Sequence, residues 1–203
     1  MREAKRYVLA AGGTGGHMVP AAALGAELKR RGAEVALVSD ARGVRFPGLF
    51  DDMDTHVLPA GRLGGKNALG WAKAGAQMWR GRAMAIRLFR EMRPDAVIGF
   101  GGYPTLPPLI AAKLLGIPTI IHDSNAVLGR ANRLLAPRAK AIATAFPQTV
   151  KVRRRDEDRL VQVGRPVPES FVAQPDRPHP PPPAAGPRHL PPARRRPGPR
   201  RVR

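Results

Sequence analysis

Apolar residues in this chain fall into short continuous runs, each followed by a stretch with helical signals. RYVLAAGG (6–13), EVALVSD (34–40), THVLPA (55–60), AVIGFGG (96–102), PTIIHDSN (118–125) and AIATAFP (141–147) read as strands. PAAALGAELKRRG (20–32) opens on a proline at a favoured first-turn position and closes on Arg-Arg-Gly, which are helix start and stop signals. NALGWAKAGAQMWRGRAMAIRLFREMR (67–93) predicts a long helix closed by Pro94, TLPPLIAAKLLG (105–116) a proline-opened one, and AVLGRANRLLAPRA (126–139) a fourth. Strands alternating with helices imply βαβ units, hence an α/β fold with a doubly wound parallel sheet. Ligands of such sheets sit beyond the carboxyl ends of the strands. Three of those ends carry unusual sequence: GGTGGH after the first strand, GFGGYP after the fourth and HDSN after the fifth. All three are expected at one crevice.

Composition changes this picture at one place. The 203 residues are 43% hydrophobic, enough for the core of one domain, and include no cysteine. Disulfides and thiolate metal sites are therefore excluded, which suits a cytoplasmic protein. The opening MREAKRYVLAAGG is not expected to be a signal peptide, because its apolar run is short and breaks into glycines. No stretch approaches the roughly 20 apolar residues of a membrane span. Beyond Pro175 the chain becomes mostly Pro, Arg, Ala and Gly, too poor in large apolar residues to offset its chain entropy. The expected organisation is a folded domain over 1–175 and a disordered or partly polyproline tail over 176–203. That tail admits two readings: an arm that binds RNA or anionic lipid, or GC-rich DNA translated in the wrong frame. Of the formal charge of +20, the tail's eight arginines and one aspartate leave +13 for residues 1–175. Such an excess points to an anionic partner: phosphate, a membrane surface or nucleic acid.

The candidate chemistry is concentrated in the glycine segments. Gly12, Gly13, Gly15 and Gly16 can take positive φ and let the backbone approach a ligand, while the next helix turns its unpaired N–H groups toward the loop. A phosphate or pyrophosphate suits that arrangement; tight strand–helix packing is the alternative. The dinucleotide fingerprint fails at Met18, and no Gly-Lys-Ser/Thr follows, which argues against NAD and against ATP hydrolysis. His17, beside backbone dipoles that favour its neutral form, suits a general base or a hydrogen-bond donor to phosphate. Tyr103 can stack on a ligand or simply pack. His122 and Asn125 end the fifth strand at the same rim, where Asn125 can bond a sugar hydroxyl or cap the next helix. DDMD (51–54) reads as a solvated acidic turn, and His56 has no second histidine at ligand spacing. The long helix mixes Lys73, Arg80, Arg82, Arg87, Arg90 and Arg93 with Trp71 and Trp79. It is either an ordinary crossover helix with a solvated face or a basic, aromatic surface for anionic headgroups. The loop before it (61–70) is flexible and basic.

GGTGGHMVPA, GGYP, the His-x-x-Asn of HDSN, AFP and VGRPV stand in the order and spacing of the MurG family of bacterial peptidoglycan glycosyltransferases, which the chain resembles over roughly residues 5–175. The resemblance implies a Rossmann-like, acceptor-binding N-terminal half of a GT-B glycosyltransferase. It implies inverting transfer of GlcNAc from UDP-GlcNAc to the MurNAc 4-hydroxyl of lipid I (undecaprenyl-pyrophosphoryl-MurNAc-pentapeptide), forming lipid II. The expected place is the cytoplasmic face of the inner membrane, as a peripheral protein on an anionic surface, with no metal, no cofactor and no nucleic-acid partner. It places Thr14, Gly15 and Gly16 at the donor phosphates and makes His17 the candidate base or phosphate contact. It makes Asn125 a polar contact in the cleft and puts Gly101, Gly102 and Tyr103 in a second glycine loop facing the acceptor pyrophosphate.

Several positions depart from the family pattern. Asp123 and Ser124 replace Glu-Gln; Pro104, Thr105 and Leu106 replace a Ser-Gly-Pro type sequence. Arg165 replaces an Asn, and Pro168 stands where the family has a donor-contacting arginine. The family's second domain, with a third glycine loop, is expected to be missing here, as a frameshift near 176–188 would explain. The chain alone is then expected to bind UDP-GlcNAc weakly and not to turn over. The rival readings are a UDP-sugar epimerase-like GT-B protein and a nucleic-acid-binding protein using the basic tail.

Overall fold

The computed structural model describes residues 4–43, 46, 48–61 and 68–169, all within the compact unit Met1–Val172. Most of the basic loop 61–70, the 175/176 boundary and the segment 176–203 lie outside the described residues. Seven strands form one sheet: β1 (Arg6–Ala10), β2 (Glu34–Ser39), β3 (Asp54–Val57), β4 (Ala96–Gly99), β5 (Thr119–Asp123), β6 (Ala141–Thr144) and β7 (Leu160–Gln162). Their order is β3-β2-β1-β4-β5-β6-β7, and every pair is parallel. The helices are α1 (Gly15–Arg30), α2 (Ala68–Met92), α3 (Leu106–Leu114) and α4 (Arg130–Leu135).

The continuous apolar runs follow from a sheet covered on both faces. Leu9 of β1 and Ala11 just beyond it join Met18, Ala21, Leu37 and Phe100 under α1. Val8 and Ala10 face the other way, with Val97, Phe89, Leu109 and Ile121, toward α2 and α3. Each large side chain so buried is worth about 1.5–3 kcal/mol. On α2, Ala74, Ala85 and Phe89 are buried, while Trp71, Trp79, Lys73, Arg80, Arg87 and Arg90 are exposed.

Three expectations are corrected. First, α1 starts at Gly15, with Pro20 inside it. Extended Thr14 ends the loop and its carbonyl accepts the His17 and Met18 N–H groups at 3.0 and 3.1 Å, so the helix nucleates on the second glycine pair. Pro20, in the second turn, cannot donate to the Gly16 carbonyl. Second, α4 begins at Arg130, not at 126. Ala126–Leu128 pair instead with Val150: Val150 N–H donates to the Ala126 carbonyl at 2.8 Å and Leu128 N–H to the Val150 carbonyl at 3.0 Å. Third, β7 and the 3-10 turn Arg154–Arg159 that precedes it were not anticipated. Asp52 of the acidic turn pairs with Lys29 at 3.0 Å, and the turn lies at the start of β3, away from the strand ends that carry the glycines.

The chain leaves β1 toward β2 and β3, then crosses through α2 to β4 on the other side of β1. The strand order therefore reverses between β1 and β4, and the loops after these two strands flank the crevice where such sheets take ligands.

Candidate active site

The loops after β1 and β4 interlock. A Cβ on Gly12 would lie 2.6 Å from the Pro104 ring, and one on Gly102 (φ 80°) would lie 2.9 Å from the Gly12 carbonyl oxygen. Neither contact leaves room for a side chain. Thr105 closes the second loop by donating its hydroxyl to the Gly102 carbonyl at 2.8 Å, and Leu106 starts α3 in the core. The three departures at 104–106 thus have structural roles. Gly15 and Gly16 differ: a Cβ there would meet nothing nearer than 3.7 and 3.6 Å. Packing does not demand glycine at the first two positions of α1. Among the four glycines of the first loop, only Gly13 takes positive φ, at 89°.

His17 stands in the first turn of α1. Its Nδ1 lies 3.1 Å from the Gly12 carbonyl, which can only accept, so Nδ1 carries the proton. Thr14 Oγ1 is 3.3 Å from the same nitrogen. In the neutral ring Nε2 then holds a lone pair. Gly101 (φ 100°) fits beside it: a Cβ there would be 3.1 Å from His17 Nε2 and 3.5 Å from Asn132 Nδ2. The bare backbone of Gly101 is thus wedged between these two side chains.

The opposite wall is organised by Asp123, which is 3% exposed. Its Oδ1 accepts from the Asn125 backbone N–H and from Asn125 Nδ2, both at 3.0 Å. Its Oδ2 accepts from the Gly129 N–H at 2.7 Å and from Asn132 Nδ2 at 3.0 Å. Asn132, 2% exposed, also donates Nδ2 to the His122 carbonyl at 3.0 Å. Both of its partners are acceptors, which fixes the amide orientation and leaves Oδ1 buried without a donor among the described residues. Asn125 is therefore held by Asp123 in a tight turn and does not cap α4, whose cap position is Gly129.

His122 leaves the rim. It is 3% exposed, its ring centroid is 5.5 Å from that of Phe100, and its Nε2 donates to the Gly164 carbonyl at 3.1 Å. Burial pushes its pKa below the ordinary 6.5, against smaller upward pulls from Gly164 and Asp123. Below pH 6.5 the unfolded chain binds this proton more readily than the folded one. The contribution of His122 is thus complete above that pH and is lost as pH falls through the folded value. Urea unfolding between pH 7 and 5 should show this decline, and H122Q, which can keep a donor toward Gly164, should flatten it.

His17, Gly101, Gly102, Tyr103 and Asn125 line one open cleft of about 480 Å³, joined by Asp123, Arg130 and Asn132. Thr14, Gly15 and Gly16 lie next to His17 but do not line it. Tyr103 packs against the core, one of the two expectations for it, and also lines the cleft. Reading the sequence missed the Asp123–Asn132 pair. The available signal was a polar residue inside an apolar stripe, since Leu128, Ala131 and Leu135 around Asn132 are all buried.

Comparison with known proteins fits this geometry. The glycosyltransferase family 28 N-terminal domain matches residues 7–144. A UDP-N-acetylglucosamine--N-acetylmuramyl-(pentapeptide) pyrophosphoryl-undecaprenol N-acetylglucosamine transferase of Erythrobacter litoralis is 52% identical over 177 residues, 87% of this chain and 44% of that protein. The crystal structure of Acinetobacter baumannii MurG superimposes with a TM-score of 0.66 at 33% identity, over 79% of this chain and 45% of that one. A UDP-N-acetylglucosamine 2-epimerase from Rickettsia bellii shares the fold alone, at 14% identity and a TM-score of 0.59 over 84% of this chain and 47% of that one. The chain spans less than half the length of these relatives. Its fold is the Rossmann-like N-terminal half of a GT-B glycosyltransferase. With the match running from β1 to the end of β6, the chain belongs to glycosyltransferase family 28, of which it carries the N-terminal domain.

Proposed function

We infer that this domain binds the acceptor in the transfer of GlcNAc from UDP-GlcNAc to the MurNAc of lipid I, the step named for its Erythrobacter relative. The observation that carries this reading is the tautomer imposed on His17 at the switch point of a family 28 domain. With Nδ1–H held by Gly12, Nε2 is free to take the proton from the attacking MurNAc hydroxyl. The hydroxyl oxygen then bonds to the anomeric carbon as the bond to UDP breaks, inverting that centre. Gly15 and Gly16 begin α1, so their N–H groups have no intrahelical partner and can face phosphate oxygens. The second glycine loop, with Tyr103, would seat the acceptor diphosphate. The epimerase-like alternative has only a likeness of fold, and a nucleic-acid role would rest on segment 176–203, outside the described residues.

The test is binding of a short-chain prenyl diphosphate–MurNAc to the chain, followed by amide chemical shifts. Shifts should move at His17 and at Gly101–Tyr103. With UDP-GlcNAc as the probe instead, G16A should weaken binding at least fivefold while leaving stability unchanged within ~1 kcal/mol, because packing does not need that glycine. Shifts confined to other strand ends would overturn the assignment.

The same reading places the domain on the cytoplasmic face of the membrane, against anionic lipid. Trp79 is 62% exposed on α2, among exposed Arg80, Arg87 and Arg90. Each such cation is worth about 1 kcal/mol at an anionic surface. R87Q/R90Q should therefore bind phosphatidylglycerol vesicles roughly 30-fold more weakly in co-sedimentation. Equal binding to neutral phosphatidylcholine would sink the membrane assignment.

A further inference from the structure

A second concavity of about 470 Å³ opens on the far side of Tyr103 and Arg130, which wall both it and the cleft. Its lining brings together Arg130, Arg133, Lys151 and Arg153, from α4 and from the segment that follows the Val127–Val150 bridge. None of the four has a carboxylate at ion-pair distance among the described residues. The carboxylate in the wall, Asp156, is engaged by Arg159, and its other oxygen is sealed from solvent. Two further features belong to the same wall, beside Asp156 Oδ2, which is buried and unpartnered among the described residues. Arg133 Nε is buried with no acceptor among the described residues, a donor left unmet inside the fold. Lys151 holds a left-handed backbone conformation, φ 64°, that costs a non-glycine residue stability. Leu128, Leu134 and Ala136 give the same pocket an apolar side.

We propose that this annex binds the peptide portion of the acceptor, its cations pairing with peptide carboxylates and its apolar side receiving small aliphatic groups. The inference rests on the acceptor reading of the cleft. If the glycine loops take the diphosphate, the negative charges remaining on an N-acetylmuramyl-pentapeptide are carboxylates, and the annex is the cationic space that adjoins the cleft across Tyr103 and Arg130. Guanidinium groups suit carboxylates because they offer paired N–H donors. The volume accommodates a short peptide segment.

Three probes, titrated calorimetrically into the 203-residue chain, test this: prenyl diphosphate–MurNAc–pentapeptide, the same molecule without peptide, and the same molecule with its peptide carboxyls amidated. The first should bind about tenfold or more tighter than the other two, the scale of a hydrogen bond to a charged group. K151Q/R153Q, which alters two exposed side chains, should erase that preference without changing affinity for the peptide-free probe. Equal binding of all three probes, or a preference that survives in K151Q/R153Q, would overturn the annex and leave the cleft assignment standing. Failure of every probe to bind would remove the acceptor reading itself, and this inference with it.

Discussion

Replacing Asp123 with asparagine is expected to lower the unfolding free energy by about 3 kcal/mol and the melting temperature by roughly 10 °C. The reason is the symmetry of its bonding. Each carboxylate oxygen accepts two donors: the Asn125 N–H and Nδ2 on one side, the Gly129 N–H and Asn132 Nδ2 on the other. An amide has one acceptor oxygen, so whichever way Asn sits, its NH2 faces two donors in a buried site. A buried donor left unmet costs about 1–3 kcal/mol. D123E should do less harm to charge balance but still misplace the turn, because the extra methylene shifts both oxygens. Urea unfolding of the variants measures this directly. A loss below about 1 kcal/mol for D123N would mean that water serves the stranded donors and that Asp123 does not organise the wall.

The second large effect concerns His17. In a chimera joining this domain to the C-terminal half of the Erythrobacter litoralis relative, H17Q is expected to reduce kcat by 10²–10⁴-fold, the usual worth of a general base. Glutamine can keep donating to the Gly12 carbonyl, so the loop should hold, but its amide has no basic nitrogen to replace Nε2. The acceptor KM should change far less than kcat. A fall in affinity with kcat preserved would recast His17 as a phosphate contact, the other role its position allows.

Much of this was legible because parallel strands buried on both faces leave continuous apolar runs, and β1, β2, β4, β5 and β6 all produced one. The crevice was legible for a related reason: glycine pairs at strand ends have few structural uses. The misses share another cause, since they depend on partners distant in sequence. The run 126–128 has helical composition but is drawn into pairing with Val150. β7 is three residues in a charged context and exists because β6 offers it an edge. Asp123 looked like a departure from a family pattern, and only the folded chain brings Asn125, Gly129 and Asn132 to its two oxygens. The cations of the annex are spread from 130 to 153 and converge only through the Val127–Val150 bridge.

The fit of Gly12 against Pro104, and of Gly102 against the Gly12 carbonyl, has an evolutionary consequence. Residues 12 and 104 share one volume, so neither can drift in size without the other compensating. Among related sequences these positions should covary, with bulk at 104 tolerated only where 12 stays glycine. The two loops are inherited as one jaw, and a graft that imported either alone would arrive misfitted.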